Sequence, residues 1–284
     1  MGRRMLQTLV AGISRKAARH IRTKPFRMHN RKPIVSFTFD DVPDSAYVNG
    51  ASILEERGIR GTFYVAAGTC GMQDEHWRVI APDQVRALNA HGHEIGCHTF
   101  SHVKVETLDA AALAQQCENN RSLLRELCGE VSVTNFCYPF GRLSFPRKLQ
   151  LQKRFDTCRS IYEGVNSGTV DLALLKVVEL YDRTLTADKL QRVLREVVAR
   201  NGWLIFYTHD VADPPSWIGC SPALLRSTVA AVQAMGLACL PTRDALREIG
   251  YASRERATAR RSTDGNERLR DEAEALTFYG RVGK

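Results

Sequence analysis

Short apolar runs recur along the chain, at residues 34–39, 61–66, 134–138, 156–161, 176–180, 203–208 and 236–240, and each is too short to be a buried helix. Between most of them lie segments of helical periodicity, such as 48–57 (VNGASILEER), 109–127, 186–199 and 221–235. Strand then helix, repeated, calls for a parallel sheet covered by helices, because parallel neighbours need a crossover connection. The pattern predicts an α/β fold, either a closed or distorted barrel or an open doubly wound sheet, and no sequence repeat is evident. Both architectures gather their working groups at the C-terminal ends of the strands.

A chain of 284 residues, 44% hydrophobic and 25% charged, buries a large core without covalent staples, so its eight cysteines need not form a disulfide framework. No CxxC pair occurs, and Cys97, Cys137 and Cys158 sit in apolar runs, where a thiol behaves as a small hydrophobe. This usage suits a reducing compartment and predicts a cytoplasmic protein. The formal charge of +9 is unevenly spread: residues 1–33 carry ten Lys or Arg and no acid, leaving 30 basic against 31 acidic residues elsewhere. A basic arm on a near-neutral body argues against nucleic-acid binding, which asks for a basic folded face.

Within RRMLQTLVAGISRKAARHI, apolar Met5, Leu6, Leu9, Val10, Ile13, Ala17 and Ile21 recur at helical spacing, with Arg15, Lys16, Arg19 and His20 on other faces. That pattern predicts an amphipathic helix that can lie on an anionic membrane, at the inner surface for a cytoplasmic protein. A solvated tail is the alternative, as is a transit peptide for a eukaryotic source. The uncharged run from Met5 to Ser14 is too short to span a bilayer, and Arg15-Lys16 interrupts any secretory core. Residues 251–284 mix both charge signs with few large apolar residues. The expected organisation is thus a basic arm (1–33), a folded domain (34–250) and a charged tail (251–284).

Four motifs fall where strands should end. SFTFDD (36–41) closes its run on Asp40 and Asp41, either two site carboxylates or a solvated turn. GHEIGCHTFSH carries a short apolar stretch into His98 and His102, four residues apart. In a helical turn both imidazoles would share one face and reach one metal ion, with Asp40 or Asp41 as carboxylate donor; a pair of surface histidines is the alternative. His93 reads as a polar strand-start residue. FCYPFG contains Tyr138, Pro139, Phe140 and Gly141, a turn able to present backbone N–H groups, and GWLIFYTHD ends in His209-Asp210, where a capping histidine is the alternative.

In this order, and all at strand ends, these pieces resemble the metal-dependent polysaccharide deacetylases, a carbohydrate esterase family that includes chitin, peptidoglycan and chito-oligosaccharide deacetylases. The resemblance spans residues 34–250 and rests on TFDD at 38–41, HTFSH at 98–102, YPFG at 138–141 and LIFYTH at 204–209. It implies an irregular (β/α) barrel, generally of seven strands. It also implies a hydrolase removing an N-acetyl or other short N-acyl group from an amino sugar in a polysaccharide, oligosaccharide or lipid-linked saccharide. Carried over, Asp40 is the general base, while Asp41, His98 and His102 hold one divalent metal, zinc by default, with Co2+, Mn2+, Fe2+ or Ni2+ also accommodated. Two adjacent carboxylates then serve two roles, one on the cation and one on the proton of the attacking water. Phe140 offers its N–H to the oxyanion, beside Pro139 and Tyr138 in the substrate-binding turn, and His209 protonates the leaving amine.

The chain also departs from the family pattern. Many members have arginine where Cys137 stands, orienting the catalytic aspartate, and on this reading the chain lacks that contact. The aspartate-tryptophan motif after the next strand is missing, which leaves His209 without an identified partner; Asp171, Asp182 and Asn166 are the candidates. Val42 stands where glycine is common. Trp77 and Trp217 occupy loops near the site, and Trp217, just after His209, is favoured for stacking on a sugar ring. Three alternatives stay open: a noncatalytic carbohydrate-binding module on the same fold, a deformylase of a lipid-linked amino sugar and, least favoured, a nucleic-acid binder acting through the basic arm. Retained Asp40 and His209 favour an enzyme, since a pure binder needs neither.

Overall fold

The structure, a computed structural model, describes residues 2–252, so the expected tail lies almost wholly outside the described residues. Seven strands form the centre: β1 (Ile34–Asp40), β2 (Thr62–Val65), β3 (Glu94–Cys97), β4 (Asn135–Cys137), β5 (Thr157–Glu163), β6 (Leu175–Glu179) and β7 (Trp203–Thr208). Each runs parallel to its neighbour, and β7 returns to β1 with Trp203–Thr208 opposite Ile34–Phe39, so the sheet closes into an all-parallel barrel. The barrel alternative is therefore the correct one, and the open sheet is not formed.

One of the expected strands is displaced. The run at 236–240 yields only a two-residue strand, β8 (Ala238–Cys239), beside the start of β1. The seventh place in the barrel is taken by β3, whose Glu94 and Gly96 break the apolar pattern for physical reasons. Glu94 is buried and accepts from the Thr62 hydroxyl (3.0 Å), the Asn135 amide and the Arg243 N–H (2.7 Å), so it ties together the first residues of β2, β3 and β4. At Gly96 the Tyr64 ring lies against the backbone, and an added Cβ would sit 2.4 Å from it.

Helices surround the barrel: α1 (Gly2–His20), α2 (Pro82–Ala90), α3 (Ala110–Cys128), α4 (Phe145–Leu151), α5 (Ala187–Ala199), α6 (Pro222–Ala234) and α7 (Thr242–Glu248). Asp109, Thr186 and Ser221 start α3, α5 and α6 by accepting from the N–H three residues on. Residues 46–55, expected as a helix from 48, form a wide π turn running into one α turn. Along β7 the side chains alternate as a strand requires: Leu204 and Phe206 join the main core cluster with Phe37, Phe39 and Phe63, while Trp203, Ile205 and Tyr207 join a second one.

The basic segment lies against the domain. Pro25–Arg27 pairs antiparallel with Thr169–Asp171, and Phe26 packs on the second core cluster. Helix α1 rests on α4, where the Phe145 N–H donates to Ser14 Oγ (3.0 Å) and Lys148 Nζ donates to the carbonyls of Ala18 and Ile21 (both 2.7 Å). Gly96→Ala is expected to destabilise the protein by about 1–3 kcal/mol, because Tyr64 is itself buried and the ring has no free space into which to move. Denaturant unfolding of the variant checks this; Gly12→Ala, whose Cβ meets nothing, serves as the unstrained control.

Candidate metal-centred active site

The C-terminal ends of the barrel strands open into one cavity of about 650 Å³, lined by Asp40 and Asp41 after β1, His98 and His102 after β3, Phe140 and Gly141 after β4, and His209 after β7. Five non-glycine residues here adopt left-handed backbone: Asp41 (φ 56°), Val42 (49°), Thr99 (61°), His102 (48°) and Phe140 (57°). Among the described residues only Asn201 does so elsewhere. Such conformations persist where the surroundings over-determine them, and they re-aim side chains at functional sites. Val42, β-branched where a glycine would be unstrained, is held by complete burial of its side chain in the main core cluster. The expected helical turn at His98–His102 is not formed; Thr99 and His102 bend a loop instead, and that loop brings the two rings together, 5.0 Å apart.

Asp41 Oδ1 lies 3.2 Å from His98 Nε2 and 2.9 Å from His102 Nε2. His98 Nδ1 faces the Cys137 carbonyl (2.9 Å); with a single ring proton placed there, Nε2 turns a lone pair toward Asp41. Asp41 Oδ1 is itself buried and accepts no conventional hydrogen bond. Lone pairs that converge at such distances repel unless a proton or a cation lies among them. Two imidazoles and a carboxylate with the outer imidazole nitrogen anchored are a donor set that fits a divalent first-row metal. The grouping of Asp40, His98 and Cys137 also falls within ligand reach, but it does not fit. Its thiol is occupied by the Arg159 guanidinium (2.7 Å), and burial pushes the Cys137 pKa well above its ordinary value.

Asp40 is held in a different way. It is buried, one oxygen takes the Arg159 guanidinium, and the other lies 3.5 Å from Cys137 Sγ. The expectation that the chain lacks an arginine on the aspartate is therefore overturned: the guanidinium comes from β5, opposite Cys137 in the β4–β5 register, instead of from β4. Arg159 sits between the rings of Tyr64 (5.1 Å) and Tyr207 (5.0 Å), on strands β2 and β7, which places it inside the barrel. Burial alone would raise the Asp40 pKa, but the charge and hydrogen bond of the Arg159 guanidinium hold it below the usual carboxylate range, so the group is ionised at neutral pH. One sequence signal could have found this pair: an arginine within an apolar strand must be buried with a counter-charge.

His209 closes the other side of the cavity. Its Nδ1 donates to the Ile218 carbonyl (3.1 Å), and its Nε2 points inward, 3.9 Å from Asp41 Oδ2. The partner sought among Asp171, Asp182 and Asn166 is thus a backbone carbonyl. Asp171 pairs with Lys148 (2.6 Å), Asp182 accepts from the Ser221 N–H, and Asn166 is bonded to the backbone of Lys176. The loop that presents Ile218 is shaped by Asp210, which accepts from the N–H and hydroxyl of Ser216; an added Cβ at Gly219 would sit 2.1 Å from the same carboxylate.

Trp77 lines the cavity with its ring 6.1 Å from that of His209, whereas Trp217 does not line it; it is 75% exposed and packs under Arg183. The preference for Trp217 over Trp77 is accordingly reversed. In the turn after β4, the Tyr138 hydroxyl donates to the Ala173 carbonyl (3.1 Å) and Pro139 is buried, while the half-exposed Phe140 ring packs at a tilt against His102, 4.3 Å between centroids.

The open end of the barrel thus gathers the carboxylates of Asp40 and Asp41 and the imidazoles of His98, His102 and His209 around one cavity. Residues 27–156 match the polysaccharide deacetylase family, a stretch that holds the TFDD, HTFSH and YPFG motifs and stops short of LIFYTH at 204–209. Relatives include a chitin deacetylase of Pestalotiopsis sp, 30% identical over 34% of this chain and 30% of its own length, and a chitooligosaccharide deacetylase of Sinorhizobium fredii, 27% identical over 43% and 53%. The chain thus spans about a third to a half of the length of these relatives. The solved chitin deacetylase of Colletotrichum lindemuthianum shares the fold, with a TM-score of 0.55 and 20% identity over 79% of this chain and 91% of that one.

Arg159→Met is expected to cost about 3–5 kcal/mol in unfolding free energy, because it strands the Asp40 carboxylate in the barrel. The double variant Asp40→Asn/Arg159→Met should recover most of that loss, and a double-mutant cycle by denaturant unfolding reads the coupling directly.

Proposed function

We propose that the protein is a metal-dependent hydrolase that removes an N-acetyl group from an amino sugar of a polysaccharide, oligosaccharide or lipid-linked saccharide. The observation that carries this reading is the presence of Asp40 and His209 in the same cavity as the Asp41, His98 and His102 set. Asp41, His98 and His102 would hold the ion, zinc by default; bound there, it would polarise the acyl carbonyl and acidify the attacking water. Asp40, kept ionised by Arg159, accepts the proton of that water. The Phe140 N–H stabilises the developing oxyanion, and its left-handed backbone aims the turn at the cavity. His209, oriented by the Ile218 carbonyl, delivers a proton from Nε2 to the departing amine. Trp77 gives the sugar ring an apolar face, with Asp74, Glu179 and Arg183 around the same cavity as polar partners for its hydroxyls.

The eight free cysteines support a reducing compartment, and we place the protein in the cytoplasm, with the basic segment at the inner membrane surface. The test is acetate release from N-acetylglucosamine oligomers and lipid-linked saccharides, with and without chelator. Release that chelator abolishes is the expected result, and its absence on every substrate would contradict the reading. Asp40→Asn is expected to keep its metal and lower turnover by about 10²–10⁴-fold; wild-type turnover would remove Asp40 as the base. Trp77→Ala should raise KM for oligomers far more than it lowers kcat, measured by steady-state kinetics.

A further inference from the structure

Helix α1 docks the wrong way round for a helix whose only partner is the barrel. The side that meets the domain is small or polar: Ala18 is buried, Ser14 accepts from Phe145, and Arg15 reaches Glu106. The large apolar residues point away, with Leu9 61%, Val10 57% and Ile13 61% exposed. An amphipathic helix normally buries its apolar stripe, so this stripe lacks a partner within the described residues. Continued at helical spacing, the line through Leu9 and Ile13 reaches His20, which lines a second cavity of about 400 Å³. The basic groups around that cavity are Arg19, Arg22, Lys176 and Arg200, all exposed, of which Arg200 is paired with Glu196 (2.6 Å). Its acids, Glu163 and Asp171, are already paired with Lys189 and Lys148.

We propose that α1 and this basic cavity form one docking surface for an anionic membrane, the stripe entering the interfacial region while the cavity takes lipid headgroups. Charge decides the occupant. The first 33 residues carry ten Lys or Arg and no acid, so a second copy packed along α1 would set two cationic helices side by side, whereas an anionic bilayer meets both the apolar and the basic elements. Among the described residues no helix is long and apolar enough to cross a membrane, so the contact is with the surface. The same helix is tied to the rim of the first cavity: Arg15 (3.6 Å) and Arg142 (3.7 Å) share Glu106, which lies between the His102 loop and α3, while Arg142 follows the Phe140 turn. Docking therefore holds the mouth of that cavity close to the bilayer. Resting on the deacetylase reading, this favours a substrate presented at the membrane surface.

The test is co-sedimentation of the full chain with vesicles of phosphatidylcholine alone or mixed with phosphatidylglycerol, at low and high salt and without substrate, so it stands or falls apart from deacetylation. Binding only to the anionic vesicles, released by salt, is expected. Ile13→Asp should abolish it, and Arg22→Glu/Lys176→Glu should weaken it roughly 25-fold or more, at about five-fold for each basic charge lost. Unfolding midpoints confirm that these exposed-site variants fold. Equal binding to both vesicle types, insensitivity to both variants, or a dimer by light scattering that Ile13→Asp dissolves in a chain that ignores vesicles would each overturn the proposal.

Discussion

The charge pair between Asp40 and Arg159 sets the terms for everything around it. Both groups are buried, and an ionised carboxylate cannot stay inside a barrel without a counter-charge. Tyr64 and Tyr207 clasp the guanidinium from two other strands, so the pair also packs the interior just beneath the open end. The result is a carboxylate fixed in position and ionised, one residue ahead of a second carboxylate facing two histidines. The chain reverses into left-handed backbone at Asp41, and this divides the two adjacent aspartates between two tasks.

The closed barrel supplies that geometry economically. Seven parallel strands deliver their last residues to one rim, and the loops leaving β1, β3, β4 and β7 need only short excursions to converge. Strained residues cluster on these loops, with Val42 restrained by the core, and the working rings beside them are restrained too: His98 by the Cys137 carbonyl, and His209 by a carbonyl that Asp210 positions through Ser216. Rigidity at the rim comes from buried polar contacts that lie behind the working groups.

Much of this could be read in the sequence, because hydrophobic period and strand-end motifs are local signals. The runs at 34–39, 61–66 and 203–208 become β1, β2 and β7 with shifts of no more than a residue at either end, and the four motifs meet in one cavity. What failed to show was nonlocal. Glu94 and Gly96 hide a strand because their reasons for being there, a polar cluster and a ring from β2, come from other parts of the chain. Arg159 reaches Asp40 only once β4 and β5 are in register, and the His209 partner is a backbone group that carries no residue identity. The two tryptophans exchanged prominence for the same reason, since loop paths decide which ring faces the cavity.

The account turns on a cation among Asp41, His98 and His102. The most direct test is titration of chelator-treated protein with Co2+, read by the visible absorption of the bound ion, in the wild type and in His102→Ala. One equivalent per chain, with the bound-ion absorption lost in the variant, is predicted. Failure of the wild type to bind, or undiminished binding by His102→Ala, would contradict it.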